Sequence, residues 1–477
     1  MPKSAISLEA SLDPQGKITM MMKLYLLISN FFSRHLTPPR IFVFSFAAFI
    51  TLGALCLWMP FSSAQSDLKF VDALFTATSA VCVTGLSSID VGRELSLAGQ
   101  LITMVLFQVG GLGIITFSII LFALMGRGIS FKGREIAQST FLHTPRRDFY
   151  VILKKVISYS FVIEAIGAIL LFLRFVQDFP VGKAFYHAVY NAISAFNNAG
   201  FSLFSDNLMS YQSDIIVNLT VMGLIILGGI GFIVQYEVLA RLRGLEKRLS
   251  IHTKIVLVTT AALIVVGAVC FFFMEMNNVL KGATFKTALL SSLFQSVTPR
   301  TAGFNTVDIG ALTNSTLLII MILMFIGASP GSTGGGIKTT SFSLLLLFIY
   351  NRIRGNANVN IGNRTIPPEL IEKTIYIIFA SAFCVCLITS ILLLSGDSAT
   401  SPVASRSQFV EYLFETISAF GTVGLSMNLT PKLSDVQKYA IIFMMFAGRV
   451  GPLTLAFALY SSRRKGLTYA EESVMVG

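Results

Sequence analysis

Four short segments of this chain repeat one pattern, and they limit its possible folds more than any other feature. They read "FTATSAVCVTGLS" from Phe75, "YNAISAFNNAGFS" from Tyr190, "LFQSVTPRTAGFN" from Leu293 and "FETISAFGTVGLS" from Phe414. Each places a large apolar residue ten positions before a glycine, and Leu or Phe follows that glycine. The glycines are Gly85, Gly200, Gly303 and Gly424, spaced by 115, 103 and 121 residues. Three copies carry Ser-Ala six and five residues before the glycine, and the third has Val297-Thr298 instead. Repetition at near-equal spacing signals one structural unit used four times.

The sequence between the copies is apolar over lengths that cross a membrane, about 20 residues of helix. Spans are read near 41–61, 99–125, 150–173, 212–239, 252–274, 314–327 with 341–350, 371–394 and 437–460. Only 13% of the residues are charged and 54% are hydrophobic, against about 25% charge in a soluble domain. The mean hydropathy is +0.74. These features define a polytopic helical membrane protein. The stretch "TMMMKLYLLISNFFS" at 19–33 is short and interrupted by Lys23, which reads as an interfacial helix and not a span. The net charge of +12 raises the question of nucleic acid. With the N-terminus inside, 24 of the 36 Lys and Arg fall on the inner face, so the excess reflects topology and not a nucleic-acid footprint. Cys56, Cys82, Cys270, Cys384 and Cys386 all lie in apolar or re-entrant stretches, which argues against disulfides and against a zinc site.

Each unit reads as a helix, a helix of about twelve residues too short to span, a glycine-containing descent and a second helix. The boundaries are 1–37 for an inner N-terminal segment, 38–130 for repeat 1, 145–242 for repeat 2, 250–352 for repeat 3, 368–462 for repeat 4 and 463–477 for an inner tail. The expected fold class is an all-α membrane protein, with four helix–pore loop–helix repeats in one chain around a central ion pore. Non-helical backbone at membrane depth must line water or be enclosed by protein, because lipid cannot satisfy its polar groups. Four such loops around one axis would face their carbonyls inward, as in a potassium pore. Glycine is needed where the backbone takes positive φ. The plainer alternative is that these glycines only permit close packing.

Repeat 3 carries a second glycine-rich stretch, "GASPGSTGGGIKTTSFS", with an intramembrane loop expected at 328–342. A nucleotide loop, GxxxxGK[ST], does not fit: Ile337 intervenes between Gly336 and Lys338, and the flanks are apolar helices. Pro330, Gly331, Gly334, Gly335 and Gly336 forbid a continuous helix. Lys338 is then a cation at mid-membrane that must face an aqueous path or a partner. Such a segment can obstruct a cation sterically and by charge, or it can be a structural kink. Arg449 in "FMMFAGRVGPLTLAF" is a second deep cation, either functional or bound to helix-end carbonyls. Glu164 is an ion or proton ligand or an interhelical tie, and Arg300 braces the third pore loop. "GGLG" at 110–113 and "GGIG" at 228–231 read as packing or bending sites.

With these motifs in hand, the chain resembles the Trk/Ktr/HKT superfamily of potassium transporters over roughly residues 38–465, and in particular the Ktr-type membrane subunit. The resemblance rests on "VTGLS", "NNAGFS", "TPRTAGFN", "GTVGLS" and "SPGSTGGGIKTT". Only about 40 residues precede the first span, which favours the Ktr type over the Trk type with its two further N-terminal helices. The resemblance implies a selectivity filter at Val83, Thr84 and Gly85; Asn198, Ala199 and Gly200; Thr301, Ala302 and Gly303; Thr422, Val423 and Gly424. It implies a gate formed by the glycine-rich loop beneath that filter, with Arg449 facing it. Potassium, and in a coupled form sodium, is the transported ion, with no covalently bound cofactor. The implied partners are membrane lipid, a second copy of the chain and a cytosolic nucleotide-binding ring. The location is the bacterial cytoplasmic membrane with both termini inside, and the protein is not an enzyme. Potassium channels use TVGYG, of which only the first glycine has a counterpart here, so looser rejection of sodium is expected. Asn198 stands where the other repeats have Val or Thr, which challenges fourfold equivalence. Contacts with a cytosolic partner are expected at 127–148, 241–254 and the tail "SSRRKGLTYAEESVMVG".

Two rival functions remain. A secondary cation transporter would have inverted repeats and a midplane site, but all four units run in the same direction and few acidic residues lie in spans. A nucleotide-driven membrane enzyme would need a sizeable soluble domain, and the inner linkers reach only about 25 residues.

Overall fold

The computed structural model describes residues 38–64, 68–124, 149–246, 248–356, 358–361, 364–396 and 402–459. The expected N-terminal segment and interfacial helix, the linker at 127–148 and the C-terminal tail lie outside the described residues. The repeat units appear in order. Repeat 1 comprises α1 (Pro38–Trp58), the pore helix α2 (Phe70–Cys82), a four-residue α3 (Val91–Glu94) and α4 (Leu97–Leu124). Repeat 2 comprises α5 (Phe149–Phe175), the pore helix α6 (Val181–Phe196), α7 (Ile215–Gly229) and α8 (Phe232–Leu242). Repeat 3 comprises α9 (Ile251–Glu275), the pore helix α10 (Phe285–Val297), α11 (Asn314–Phe325) and α12 (Thr339–Ile353). Repeat 4 comprises α13 (Pro368–Leu394), the pore helix α14 (Pro402–Gly421), α15 (Asp435–Val450) and α16 (Pro452–Leu459). A hairpin pairing Asn360 with Thr365 and Ile361 with Arg364 lies in the linker between repeats 3 and 4.

Val156–Phe175, Ile251–Glu275 and Pro368–Leu394 are each long and apolar enough to cross a membrane. Along α5, the side chains of Phe161, Val162, Ile166, Ile169 and Leu173 are all exposed, a surface that hydrocarbon accepts and water does not. Three of the expected second-helix spans are broken. The 212–239 span divides at Gly231, where α7 and α8 meet at a bend of 104°. The 437–460 span divides at Gly451, with φ +89° and Pro452 next in the chain. In repeat 3 the break widens into the loop between α11 and α12. Side-chain caps start several helices: Asp214 for α7, Ser250 for α9, Thr284 for α10, Thr313 for α11, and Ser434 with Gln437 as a capping box for α15.

The pore helices descend from the face that we call upper, and their C-terminal halves form the centre of the protein. Residues 75–84, 194–200, 294–304 and 418–423 are buried without interruption. Glycines in the second helices make room for them. A side chain at Gly110, Gly228 or Gly448 would collide with the backbone carbonyl of Val81, Phe196 or Phe420, the last turns of the pore helices of repeats 1, 2 and 4. The glycine pairs therefore act as seats for the pore helices and, at Gly231, as the bend.

Candidate functional site

The four pore helices end in one backbone conformation. Val83, Asn198, Thr301 and Thr422 have φ of +58°, +58°, +78° and +50°, and the glycines two residues later have φ of +91°, +72°, +76° and +97°. A left-handed residue is a common way to end a helix, but for Val and Thr it is costly. Its recurrence at equivalent positions shows that the surroundings impose it. The serine of the Ser-Ala motif has a local role here: Ser79 Oγ and Ser418 Oγ accept the N–H of Gly85 and Gly424 at 3.0 and 3.1 Å. In repeat 3, Thr298 Oγ1 donates to the Phe304 carbonyl.

The glycines close a ring. A Cβ on Gly85 would lie under 3.0 Å from the Ala199 oxygen, one on Gly200 from the Ala302 oxygen, one on Gly303 from the Val423 oxygen, and one on Gly424 from the Thr84 oxygen. Each repeat thus touches the next, and the fourth returns to the first. The four carbonyls that contact this ring belong to Thr84, Ala199, Ala302 and Val423, the residues immediately before the glycines. Asn198 does not disrupt the arrangement. Its backbone matches the other three, and its carboxamide oxygen accepts from Thr301 Oγ1 at 3.1 Å while the nitrogen donates to the carbonyls of Ala195 and Ile225 at 3.1 and 3.2 Å.

The glycine-rich loop of repeat 3 lies against the threonines of this ring. Ile326 pairs with Ile337 at its base. Gly335 donates its N–H to Thr422 Oγ1 at 2.9 Å, and Gly334 approaches Thr301 so closely that a Cβ would overlap the hydroxyl. Ser329 and Thr333 donate their N–H groups to the carbonyls of Gly229 and Gly228, and Phe232 N–H donates to Gly331 at 2.9 Å. The bend at Gly231 receives the loop, since a Cβ there would meet the Pro330 oxygen at 2.5 Å. Gly331 and Gly336 carry φ of +67° and +66°. Lys338 turns back on its own loop, donating to Gly334 at 2.8 Å and Gly335 at 3.4 Å. Arg449 is 3% exposed and bridges the Thr333 carbonyl to that of Gly110 in repeat 1. The loop is therefore fastened directly to repeats 2 and 4 and, through Arg449, to repeat 1.

The other ionisable residues noted in the sequence serve as ties. Glu164 accepts from Gln108 Nε2 at 3.0 Å and Asn197 Nδ2 at 3.1 Å, joining α5, α4 and the end of α6. Arg300 donates to the Thr260 carbonyl at 3.2 Å. Sequence reading missed a second set of acids that holds the upper loops. Glu275 accepts from Thr313 and Asn278, and Glu415 from Ser426 and Thr430. Asp72 pairs with Lys438 at 2.7 Å and accepts from Ser88 at 2.7 Å. That ion pair is buried and joins the pore helix of repeat 1 to the second helix of repeat 4, 366 residues away. Removing one partner of such a pair costs about 3–5 kcal/mol, whereas replacing both with apolar or neutral groups is often close to neutral. Lys438→Met and Asp72→Asn should each lower the unfolding temperature of the purified protein, and the double variant should recover most of the loss. Additive losses in the double variant would show that the pair does not act as a unit.

A ring of four inward-dipping helix ends, inside a bundle with lipid-facing outer helices, defines a pore-loop membrane transport protein. The family model for TrkH, described as a cation transport protein, matches residues 34–463. The chain belongs to this family, within the Trk/Ktr superfamily. It is 39% identical over 444 residues to Ktr system potassium uptake protein B of Bacillus subtilis, covering 92% of this chain and 97% of that protein. It is also 39% identical to the protein of the same name from Vibrio alginolyticus, covering 92% and 95%. Potassium/sodium uptake protein NtpJ of Enterococcus hirae is 35% identical, covering 93% and 98%. Among solved structures, the crystal structure of the potassium transporter TrkH from Vibrio parahaemolyticus shares the fold, with a TM-score of 0.68 at 19% identity over 90% of this chain and 86% of that one.

Proposed function

We propose that this chain is the translocation subunit of a Ktr-type potassium uptake system, conducting the ion through the glycine ring and gated by the loop at 328–342. The observation that carries this reading is the closed ring, in which the carbonyls of Thr84, Ala199, Ala302 and Val423 each meet the preceding repeat's glycine in cyclic order. Backbone at Val83–Gly85, Asn198–Gly200, Thr301–Gly303 and Thr422–Gly424 substitutes for the ion's water shell. Four pore helices end at this ring, and each C-terminus carries about half a negative charge, which favours a cation there. Lys338 and Arg449 oppose a cation beneath the ring, and the loop carbonyls that hold them set the closed state.

Sodium as a second ion is part of the proposal, in line with the name of the Enterococcus relative. A cytosolic nucleotide-binding ring under a homodimer is the proposed regulator. Its support is the lower face, where Leu242, Leu245 and Ile353 are 80%, 75% and 81% exposed beside Arg243 and Arg354, a mixed apolar and basic surface suited to a partner. The membrane is the bacterial cytoplasmic membrane, with this face and both termini inside.

The test is rubidium and sodium flux into liposomes holding the purified chain, with and without a Ktr regulatory subunit and sodium. Rubidium entry that potassium competes away is the expected result. Absence of rubidium flux under every condition, with the protein correctly inserted, would refute the function.

A further inference from the structure

A cavity of about 560 Å³ opens on the upper face between repeats 1 and 2. Its walls include Arg93, Gln100, Lys183, His187, Phe204 and Asp206. At roughly 30 Å³ per water the space is too large to be explained by a trapped solvent molecule, and it falls in the range of small-ligand sites. His187 is 7% exposed. Its ring lies beside those of Phe179, at 5.4 Å and 3°, and Phe204, at 4.8 Å and 20°, which are 5.8 Å from each other, so the three near-parallel rings form a cluster. Its Nδ1 is buried with no hydrogen-bond partner, a loss that protein interiors rarely leave uncompensated.

Of the charged groups around this imidazole, Lys183 is the one without a counterion among the described residues. Lys183 lies one helical turn above His187, with its ammonium over the Phe179 ring at 5.3 Å, and among the described residues it has no carboxylate within ion-pair distance. Arg93 reaches Asp90 at 3.7 Å with 75% of its side chain exposed. The one lining carboxylate, Asp206, is already engaged by the N–H and hydroxyl of Ser210. The ammonium of Lys183, beside aromatic walls and with Arg93 at the rim, suits a ligand with ionised acceptor oxygens and an organic body, since ionised acceptors make the strongest hydrogen bonds with charged donors. We infer that this cavity binds a phosphate ester, supplied either by a phospholipid head group of the outer leaflet or by a soluble glycerol phosphate. The site also joins two repeats: Leu203–Asp206 follow Gly200 in the chain, and Gly92 abuts the Leu203 carbonyl.

The chain has four histidines, so carbon-13 labelling of histidine gives a simple spectrum in which the His187 signal is the one lost in His187→Gln. The full-length protein in a maltoside detergent, which carries no phosphate, is titrated with glycerol 3-phosphate in one arm and with phosphatidylglycerol in the other. A saturable shift of the His187 signal is expected in at least one arm. The soluble arm alone points to a free ester, the lipid arm alone to a head group, and a shift in both to the shared phosphate chemistry. Lys183→Ala, a change at an exposed side chain, should weaken the apparent affinity about tenfold through loss of a charged hydrogen bond. No shift in either arm, or undiminished binding by Lys183→Ala, overturns the inference. The readout is binding and not flux, so it stands or falls apart from the transport reading.

Discussion

Gly424→Ala is expected to reduce rubidium uptake to below about a tenth of wild type while leaving insertion and expression intact, and the rubidium that does pass should be less well distinguished from sodium. Two effects combine at this position. The backbone has φ +97°, where any side chain costs about 1–2 kcal/mol. The added methyl would also fall on the Thr84 carbonyl oxygen and close to the Cα atoms of Gly85 and Gly303. The clash is with backbone of the neighbouring repeats, so relief requires the ring itself to move. The same reasoning applies to Gly85, Gly200 and Gly303, and serine there should act in the same direction. Gly282 supplies the control, since its φ is +81° and nothing lies within 4 Å of a Cβ there. Gly282→Ala carries the backbone strain without the ring contact and should transport normally. Equal loss in both variants, or wild-type selectivity in all four ring variants, would contradict the assignment of the ring.

Removal of residues 331–336 should have the opposite effect, raising rubidium flux several-fold and making it less dependent on any regulatory subunit. The deleted segment supplies the Gly335 N–H bond to Thr422, the Gly334 contact with Thr301 and the Thr333 carbonyl that Arg449 holds. Without them the obstruction beneath the ring is gone. Arg449→Ala, which releases the tie between Thr333 and Gly110, and Lys338→Ala, which removes the charge seated on Gly334, should shift the open fraction in the same direction and leave selectivity unchanged. A change of about 1.4 kcal/mol between closed and open states alters their ratio tenfold, within the few kcal/mol typical of such two-state elements. Flux is compared at matched protein levels, with folding checked by size exclusion. Unchanged or lower flux in a folded deletion variant would mean that the loop is not a gate.

The parts of the fold that were legible in the sequence are those with local rules. The four glycines, the short helices before them and the break at Pro330–Gly336 follow from repeat spacing and helix chemistry, and the structure brings these residues together. The Ser-Ala pair was visible only as a pattern, and its use in repeats 1 and 4, a serine hydroxyl accepting the ring glycine's N–H, required the helix end to be seen. Asn198 looked like an exception because its side chain differs, yet the conserved quantity is its left-handed backbone. The "GGIG" stretch was legible as a packing or bending site, but not its 104° angle or its role as the seat of the loop, which depends on contact with Pro330 from another repeat. The Asp72–Lys438 pair left only weak local signals, an acid in a pore helix's first turn and a lysine in the polar first turn of a second helix. Nothing in either stretch could say that they meet, because that contact is a consequence of closing four repeats into a ring.

The central claim is that the cation passes through the ring. Anomalous scattering from crystals grown in rubidium locates the ion directly. The strongest peak is expected on the ring axis, among the carbonyl oxygens of Thr84, Ala199, Ala302 and Val423. Ordered rubidium at Glu164 or between other helices, with none at the ring, would contradict the account.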